Sequence, residues 1–219
     1  NTILESYIPY SKDSMDKFLI RKPDHYCSLD TCLSMGANAY KKSKEIDTKT
    51  KSKYLLGLSI TANLATTYEK KGDHKFFIVI QANDYTKYLE CFLEKGKRSR
   101  NEEEELITAC AISLLAESCG LSYPLPDQKE HINVNTVIAE KSWKKLFNNK
   151  VGFISNNKSN PELIFPGSFN PLHEGHMKMK ELAERKTGMH TTFEICAKNA
   201  DKPPLTYVEI KRTIDQFQN

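Results

Sequence analysis

The feature that most limits how this chain can fold is a short apolar strand that leads into PGSFNPLHEGH at 166–176. We predict the strand over 163–165 and a helix over 172–186, because apolar residues recur there at strand and helix spacing. A second strand over 192–197 and a further helix with a capping box follow. Strand, helix, strand and helix in this order are typical of a parallel α/β sheet. Two strands are few for a stable sheet, so we expect this domain to be incomplete.

The chain before residue 161 has a different pattern of predicted helices and strands. Apolar residues at helical spacing predict helices over 13–19, 28–44 and 101–119. Short apolar segments of β-forming residues predict strands over 54–60 and 76–81. Two prolines at 124 and 126 are followed by mostly polar residues up to 160, which predicts a connection at 126–160 with little core of its own. The sequence therefore predicts an α/β protein with a mixed α/β domain at 1–125, a linker at 126–160 and a partial parallel domain at 161–219.

Composition excludes several functional classes. The 32 basic and 28 acidic residues leave a net charge of +4, and the lysines are scattered. A dedicated nucleic-acid-binding surface concentrates its basic residues on one face, so we expect no such surface here. No apolar run approaches the roughly 18 residues of a membrane span, so we expect no membrane partner. Six cysteines without a CxxC pair predict a reducing, cytoplasmic compartment. The chain opens on Asn1 instead of Met, so we expect it to be cut from a longer protein.

His173 and His176 carry the sharpest chemical signal. They lie three residues apart at the start of a predicted helix, so both imidazoles project from one face near the positive end of the helix dipole. Gly167 predicts a turn in which the backbone approaches a ligand closely, and Gly175 leaves room for a flat or bulky group. This arrangement suits phosphate oxygens, and hence phosphoryl or nucleotidyl transfer. The histidines of a zinc-protease helix are four apart, so we expect no metal site.

The stretch GSFNPLHEGH resembles the first motif of the HxGH nucleotidyltransferase superfamily and is particularly similar to the nicotinate/nicotinamide-mononucleotide adenylyltransferases. The resemblance implies a Rossmann-like sheet, Mg²⁺ with ATP or CTP, and transfer of a nucleotidyl group to a mononucleotide phosphate with release of pyrophosphate. It implies that the catalytic residues His173 and His176 stabilise charge on the α- and β-phosphates. It also assigns nucleotide binding to Gly167, Ser168, Phe169, Asn170, Gly175 and Lys202, with Arg212 as a further candidate. The superfamily's second signature does not occur before residue 219, so we expect residues 1–219 by themselves to be inactive.

The first half of the chain resembles a second family, the C-terminal domain of CinA, the competence-damage-type proteins, some of which are amidohydrolases of nicotinamide mononucleotide. The similar segments are IPYS at 8–11, the helix at 29–40, LSIT at 58–61 and GKR at 96–98. This resemblance assigns a site to Tyr10, Thr61 and Arg98. Met15 stands where that family has a lysine, and residues 61–66 lack its glycines, so we expect the site to be degenerate. The two resemblances in this order are similar to cytidylyltransferase-like two-domain proteins.

Three hypotheses about function remain open at this stage. The first is a nucleotidyltransferase whose acceptor is a mononucleotide such as nicotinamide or nicotinate mononucleotide. The second is a CinA-type amidohydrolase of nicotinamide mononucleotide, which predicts release of ammonia. The third is a non-catalytic module that binds nucleotides or forms a homo-oligomer through the CinA-like domain.

Overall fold

The computed structural model describes residues 3–68, 71–126, 132–156, 161–198 and 202–218. The helices in these ranges are α1 Lys12–Leu19, α2 Leu29–Ile46, α3 Arg100–Ser118, α4 Lys141–Phe147, α5 Glu174–Thr187 and α6 Tyr207–Asp215. The strands are β1 Leu56–Asn63, β2 His74–Ala82, β3 Tyr85–Leu93, β4 Ile132–Ile138, β5 Leu163–Gly167 and β6 Thr191–Ile195. Among the described helices, none has the length and apolar character needed to cross a membrane. The prediction of a mixed α/β protein is confirmed.

Strands β1 to β4 form an antiparallel sheet in that order, and β2 is its most buried strand. Side chains of a strand alternate between the two faces of its sheet. Phe76 and Ile78 accordingly pack in one cluster with the apolar side of α3, whereas Phe77 and Val79 pack in another with α2. Helices therefore cover both faces of the sheet, and its core is closed on each side.

The expected linker at 126–160 contributes to this sheet, which differs from the prediction. β4 pairs with β3 from Ile132, opposite Cys91, to Ile138, opposite Tyr85, and α4 follows it. The strand INVNTVI escaped detection because an edge strand with one exposed face needs few apolar residues. β3 was also not predicted. The segment described as a connection is thus partly a sheet edge.

The C-terminal strands β5 and β6 form a parallel pair, as predicted. Helix α6, however, packs on the first sheet. Its Val208 joins the cluster of Phe77 and Val79, and the Tyr207 amide and hydroxyl bond to Thr86 Oγ1 and the Asn83 carbonyl at 3.0 and 2.9 Å. The two predicted domains therefore share a packed face, and the chain around α6 is fixed relative to α2.

Local capping signals place the helix starts. The Ser28 hydroxyl accepts a hydrogen bond from the Thr31 amide at 3.2 Å, and Thr206 forms the predicted capping box with Glu209. Helix α5 differs from the others because it lies at the surface. All of its residues are described, and none of its side chains is buried. Its N-terminus is therefore accessible from solution.

Candidate functional site

The loop between β5 and α5 is built around Phe169. This residue has φ 45° and is 2% exposed, although a left-handed backbone is uncommon for a non-glycine residue. Its ring makes edge-to-face contacts with four other rings, those of Phe165, His176, Phe193 and Phe217, at centroid distances of 5.1 to 5.7 Å. Phe169 is thus the packing centre of the loop, and its side chain is not a surface that lines an open site. The Asn170–Pro171 peptide bond that follows is cis.

Gly167 leaves room for an aromatic side chain of the protein itself. A Cβ added at this position would lie 2.6 Å from Phe169 Cζ, which is closer than carbon atoms approach without displacement. The space beside Gly167 is therefore filled by the protein's own aromatic ring. The glycine thus admits Phe169, and the close approach of its backbone to a ligand stays a prediction.

Gln216, which follows α6, holds the same loop from the other side. Its Nε2 donates to the Phe169 carbonyl at 3.0 Å, and its Oε1 accepts from the Leu172 amide at 2.7 Å. Both ends of one amide group thus bond to the backbone of the loop that carries the histidines. The sequence offered no signal for this residue, because it lies 44 positions from Leu172.

The two histidines stack on each other at the start of α5. Their ring centroids are 3.7 Å apart with an interplanar angle of 25°. His176 Nδ1 accepts a hydrogen bond from the His173 amide at 3.2 Å, so neutral His176 carries its proton on Nε2. Partial burial lowers the pKa of His176, and the neighbouring His173 lowers it further. His176 is therefore a neutral hydrogen-bond donor near pH 7.

Gly175 explains how the pair can stack. An added Cβ would lie 3.1 Å from both Cε1 and Nδ1 of His173. The flat group for which the glycine leaves room is thus the imidazole of His173. The spacing HxGH fixes the two rings relative to each other as well as to the helix N-terminus.

A cavity of about 330 Å³ lies between the C-terminal part of the chain and helices α1 and α2; we call it the inter-unit cavity. Of the predicted nucleotide-binding residues, it gathers Ser168, Asn170 and Lys202, and also Arg212. The first part of the chain contributes Arg21, Asp24, Asp30 and Ser34, and the remaining lining residues are Pro203, Leu205, Glu209, Thr213 and Gln216. Among the described residues, His173 and His176 are not in its lining. The predicted residues thus fall into a histidine pair and a separate cavity group.

Charges in the inter-unit cavity are mixed. Arg212 Nη1 lies 3.0 Å from Asp30 Oδ1, which neutralises this arginine. Arg21 Nη2 donates to the Ser34 hydroxyl at 2.6 Å, which leaves its charge without compensation from that partner. Burial raises the pKa of Glu209, whereas hydrogen bonds from the Thr206 amide and hydroxyl and the charge of Arg21 lower it. The carboxyl of Glu209 is engaged by its own helix cap, at 2.7 and 2.8 Å.

A second cavity, of about 580 Å³, lies between the loops that follow β1 and β3; we call it the α3 cavity because the start of α3 lines it. His74 lines it, and His74 Nδ1 lies 2.9 Å from Glu103 Oε1. Glu103 is fully buried and also accepts from the Ala65 amide at 2.6 Å. No sequence pattern indicated this pair, because Glu103 is one of four consecutive glutamates at 102–105.

The residues predicted for a CinA-like site are not brought together. Arg98 lines the α3 cavity. Thr61 is buried and donates from Oγ1 to the Tyr26 carbonyl at 2.9 Å, whereas Tyr10 is 95% exposed. The α3 cavity is therefore lined by one of the three residues, together with His74, whose partner Glu103 is buried behind it.

Side chains suited to a resident metal are not clustered in the part of the chain that the structure describes. No group of three or more His, Cys, Asp and Glu residues lies close enough there to hold an ion. The predicted nucleotide-binding residues supply hydroxyl, amide and ammonium groups instead of carboxylates.

Comparisons with known proteins give no independent assignment. No family model, no curated protein and no solved structure matches this chain.

Proposed function

We propose that this protein is a nucleotidyltransferase that transfers a nucleotidyl group from ATP or CTP to the phosphate of a mononucleotide, such as nicotinamide or nicotinate mononucleotide. One observation carries the proposal: the stacked pair of His173 and His176 at the N-terminus of α5, directly after a parallel strand. The resemblance of GSFNPLHEGH to the HxGH nucleotidyltransferases supports the same reaction. Under this proposal the C-terminal part of the chain is Rossmann-like.

The chemistry follows from the arrangement of donors. An oxygen of the acceptor phosphate attacks the α-phosphorus of the triphosphate in line, and the bond from that phosphorus to the bridging oxygen of the β-phosphate breaks. Pyrophosphate leaves with the electron pair of that bond. Positioning and charge stabilisation supply most of the catalysis in such transfers. His176 donates from Nε2, and the free amides at the start of α5 face the same charge.

The proton position of His176 matters for this role. Because Nδ1 accepts from the His173 amide, the ring is oriented and Nε2–H is the donor that remains. A neutral donor fixed in this way stabilises developing negative charge without first losing hydrogen bonds to water. His173, which stacks on the ring at 3.7 Å, keeps the imidazole from rotating.

Release of pyrophosphate tests the proposal. The full-length protein would be given ATP or CTP with Mg²⁺ and either mononucleotide, beside the variants His173→Ala and His176→Ala. We expect each variant to lose roughly 10²- to 10³-fold in rate, as for removal of a donor from an oxyanion-type site. His25→Ala is the matched control, because His25 is exposed and lies in the first part of the chain. The proposal fails if no pair of substrates releases pyrophosphate, or if both variants keep the wild-type rate.

A second candidate function is amide hydrolysis at the α3 cavity. The observation that favours it is His74, which lines a cavity of about 580 Å³ with Arg98 and is paired with the buried Glu103, because a carboxylate-oriented histidine is a common general base. This candidate predicts release of ammonia from nicotinamide mononucleotide that is lost in Arg98→Ala and kept in His176→Ala. Absence of ammonia release from the wild-type protein would eliminate it.

The third hypothesis, a binding or oligomerisation module, makes a separate prediction. It predicts that a CinA-like first part forms a homo-oligomer while no turnover of either kind occurs. Sedimentation velocity of the purified protein, measured beside both activity assays, distinguishes this case from the two enzymatic ones.

A further inference from the structure

We infer that the mononucleotide acceptor binds in the inter-unit cavity and that Arg21, which comes from the first part of the chain, binds its phosphate. The inference rests on the proposed function and extends it, because it assigns part of the acceptor site to a segment outside the HxGH region. It makes the first part of the chain a contributor to substrate binding.

The position of the cavity is the first argument. Its volume of about 330 Å³ falls within the range of small-molecule sites, roughly 300–1,000 Å³. One wall carries Ser168 and Asn170, which lie in the loop that leads to His173. A ligand in the cavity therefore contacts the same loop that places the histidine pair, as an acceptor beside the transferred phosphate must.

The charges in the cavity select Arg21 as the phosphate-binding group. Arg212 forms an ion pair with Asp30 at 3.0 Å, and Glu209, whose pKa the charge of Arg21 lowers, is engaged by its helix cap. Arg21 has its described hydrogen bond to neutral Ser34, through one of the five N–H donors of a guanidinium. The remaining donors form a planar fork that matches a phosphate group. Lys202, exposed on the opposite segment, supplies a second positive charge.

The backbone before Arg21 holds the side chain in place. α1 ends at Ile20, which has φ 56°, a left-handed conformation that β-branched residues rarely adopt. The Arg21 amide then bonds back to the Asp16 carbonyl at 3.1 Å, and Ser34 receives the guanidinium from the buried side of α2. Strained backbone of this kind is concentrated at functional sites. Arg21 is thus positioned before any ligand binds, which reduces the entropy lost on binding.

The carboxylates indicate which phosphate compound fits. Asp24 and Asp30 line the cavity beside the two cations. A bare anion such as inorganic phosphate gains from Arg21 but meets these carboxylates. A phosphorylated nucleoside places its phosphate at Arg21 and offers ribose hydroxyls as donors to the carboxylates. The cavity is therefore matched to a sugar phosphate in preference to a free phosphate ion.

Variants of Arg21 test the inference in the pyrophosphate-release assay. Loss of charge-assisted hydrogen bonds in Arg21→Ala is expected to raise the KM for the mononucleotide roughly 10- to 100-fold, with the KM for the triphosphate unchanged. Arg21→Gln keeps a donor for Ser34 without the charge and should show the same split. Lys22→Ala is the matched control, since Lys22 is the exposed neighbouring cation. Thermal unfolding of each variant checks that the fold is retained.

Calorimetric titration separates this inference from the proposed function. Nicotinamide mononucleotide and inorganic phosphate would be titrated into the wild-type protein, Arg21→Gln and Lys22→Ala, with no turnover required. Binding of the mononucleotide that weakens only in Arg21→Gln supports the inference even if no pyrophosphate is ever released. Turnover with an unchanged acceptor KM in both Arg21 variants overturns the inference and leaves the proposed function intact. Absence of mononucleotide binding to the wild-type protein overturns it as well.

Discussion

Phe169 occupies the space that the missing side chain of Gly167 leaves beside β5, with its Cζ 2.6 Å from where a Cβ would lie. The same ring links Gly167 to the start of α5, because the buried ring of Phe169 also contacts the His176 ring, with the two centroids 5.2 Å apart. The glycine, the aromatic residue and the second histidine are therefore one packed unit. Conditions that displace Phe169 are expected to disturb the histidine pair.

Gly167→Ala tests this unit. The added methyl group displaces Phe169 or the strand, and overpacking of this kind costs about 1–3 kcal/mol of unfolding free energy. We expect a lower Tm and a weaker near-ultraviolet circular dichroism signal from the aromatic cluster. Gly152→Ala is the control, because nothing lies within 4 Å of a Cβ at that position. Equal Tm values for the two variants would show that the ring adapts without cost.

Gln216→Ala tests whether the loop must be held from α6. The variant removes the hydrogen bonds to the Phe169 carbonyl and the Leu172 amide, so the loop that carries the histidines gains freedom. Small displacements of reacting groups reduce rates strongly, and we expect pyrophosphate release to fall roughly 10- to 100-fold. Gln218→Ala, an exposed glutamine two residues further on, should keep the wild-type rate. If both variants behave alike, the amide does not position the loop.

His176 should make the folded protein sensitive to acid. Its pKa in the folded state lies below the ordinary value of 6.5, so the unfolded chain takes up the proton more readily. The stabilisation is fully present above pH 6.5 and is lost as the pH falls through the lowered pKa. The histidine Cε1–H signals, followed by NMR between pH 4 and 8, should include a His176 titration that lies below the ordinary histidine pKa of about 6.5. In His176→Gln that titration should disappear; if it persists, it belongs to another histidine.

Glu103 is expected to be essential for stability, although its neighbours in sequence are not. Glu103→Ala removes the partner of both His74 Nδ1 and the Ala65 amide inside the core. Breaking a buried pair in this way costs about 3–5 kcal/mol. Glu105→Ala, an exposed member of the same run, should change stability by less than about 0.5 kcal/mol. Urea unfolding of the two variants measures the difference, and similar midpoints would mean that Glu103 is not buried in solution.

Helix boundaries were largely predictable, because their signals are local. The predicted start at Ser28 is the observed N-cap of α2, and the predicted helix at 101–119 differs from α3 by one residue at each end. The capping box at Thr206 was predicted and is present. The polar edge strand β4 escaped detection because its pairing partner lies elsewhere in the chain.

The amino-acid sequence by itself determined the helix starts and the HxGH spacing, because these depend on interactions between residues a few positions apart. The order strand, helix, strand also indicated the parallel pair of β5 and β6, although its partners Leu163 and Thr191 are 28 positions apart. Only the tertiary structure decided which glutamate is buried, that α6 packs on the first sheet, and that Arg21 and Lys202 line one cavity. The ion pair of Arg212 with Asp30 joins residues 182 positions apart. Such contacts depend on which faces of helices and strands pack together, and hydrophobic patterning shows that a face is buried without showing its partner.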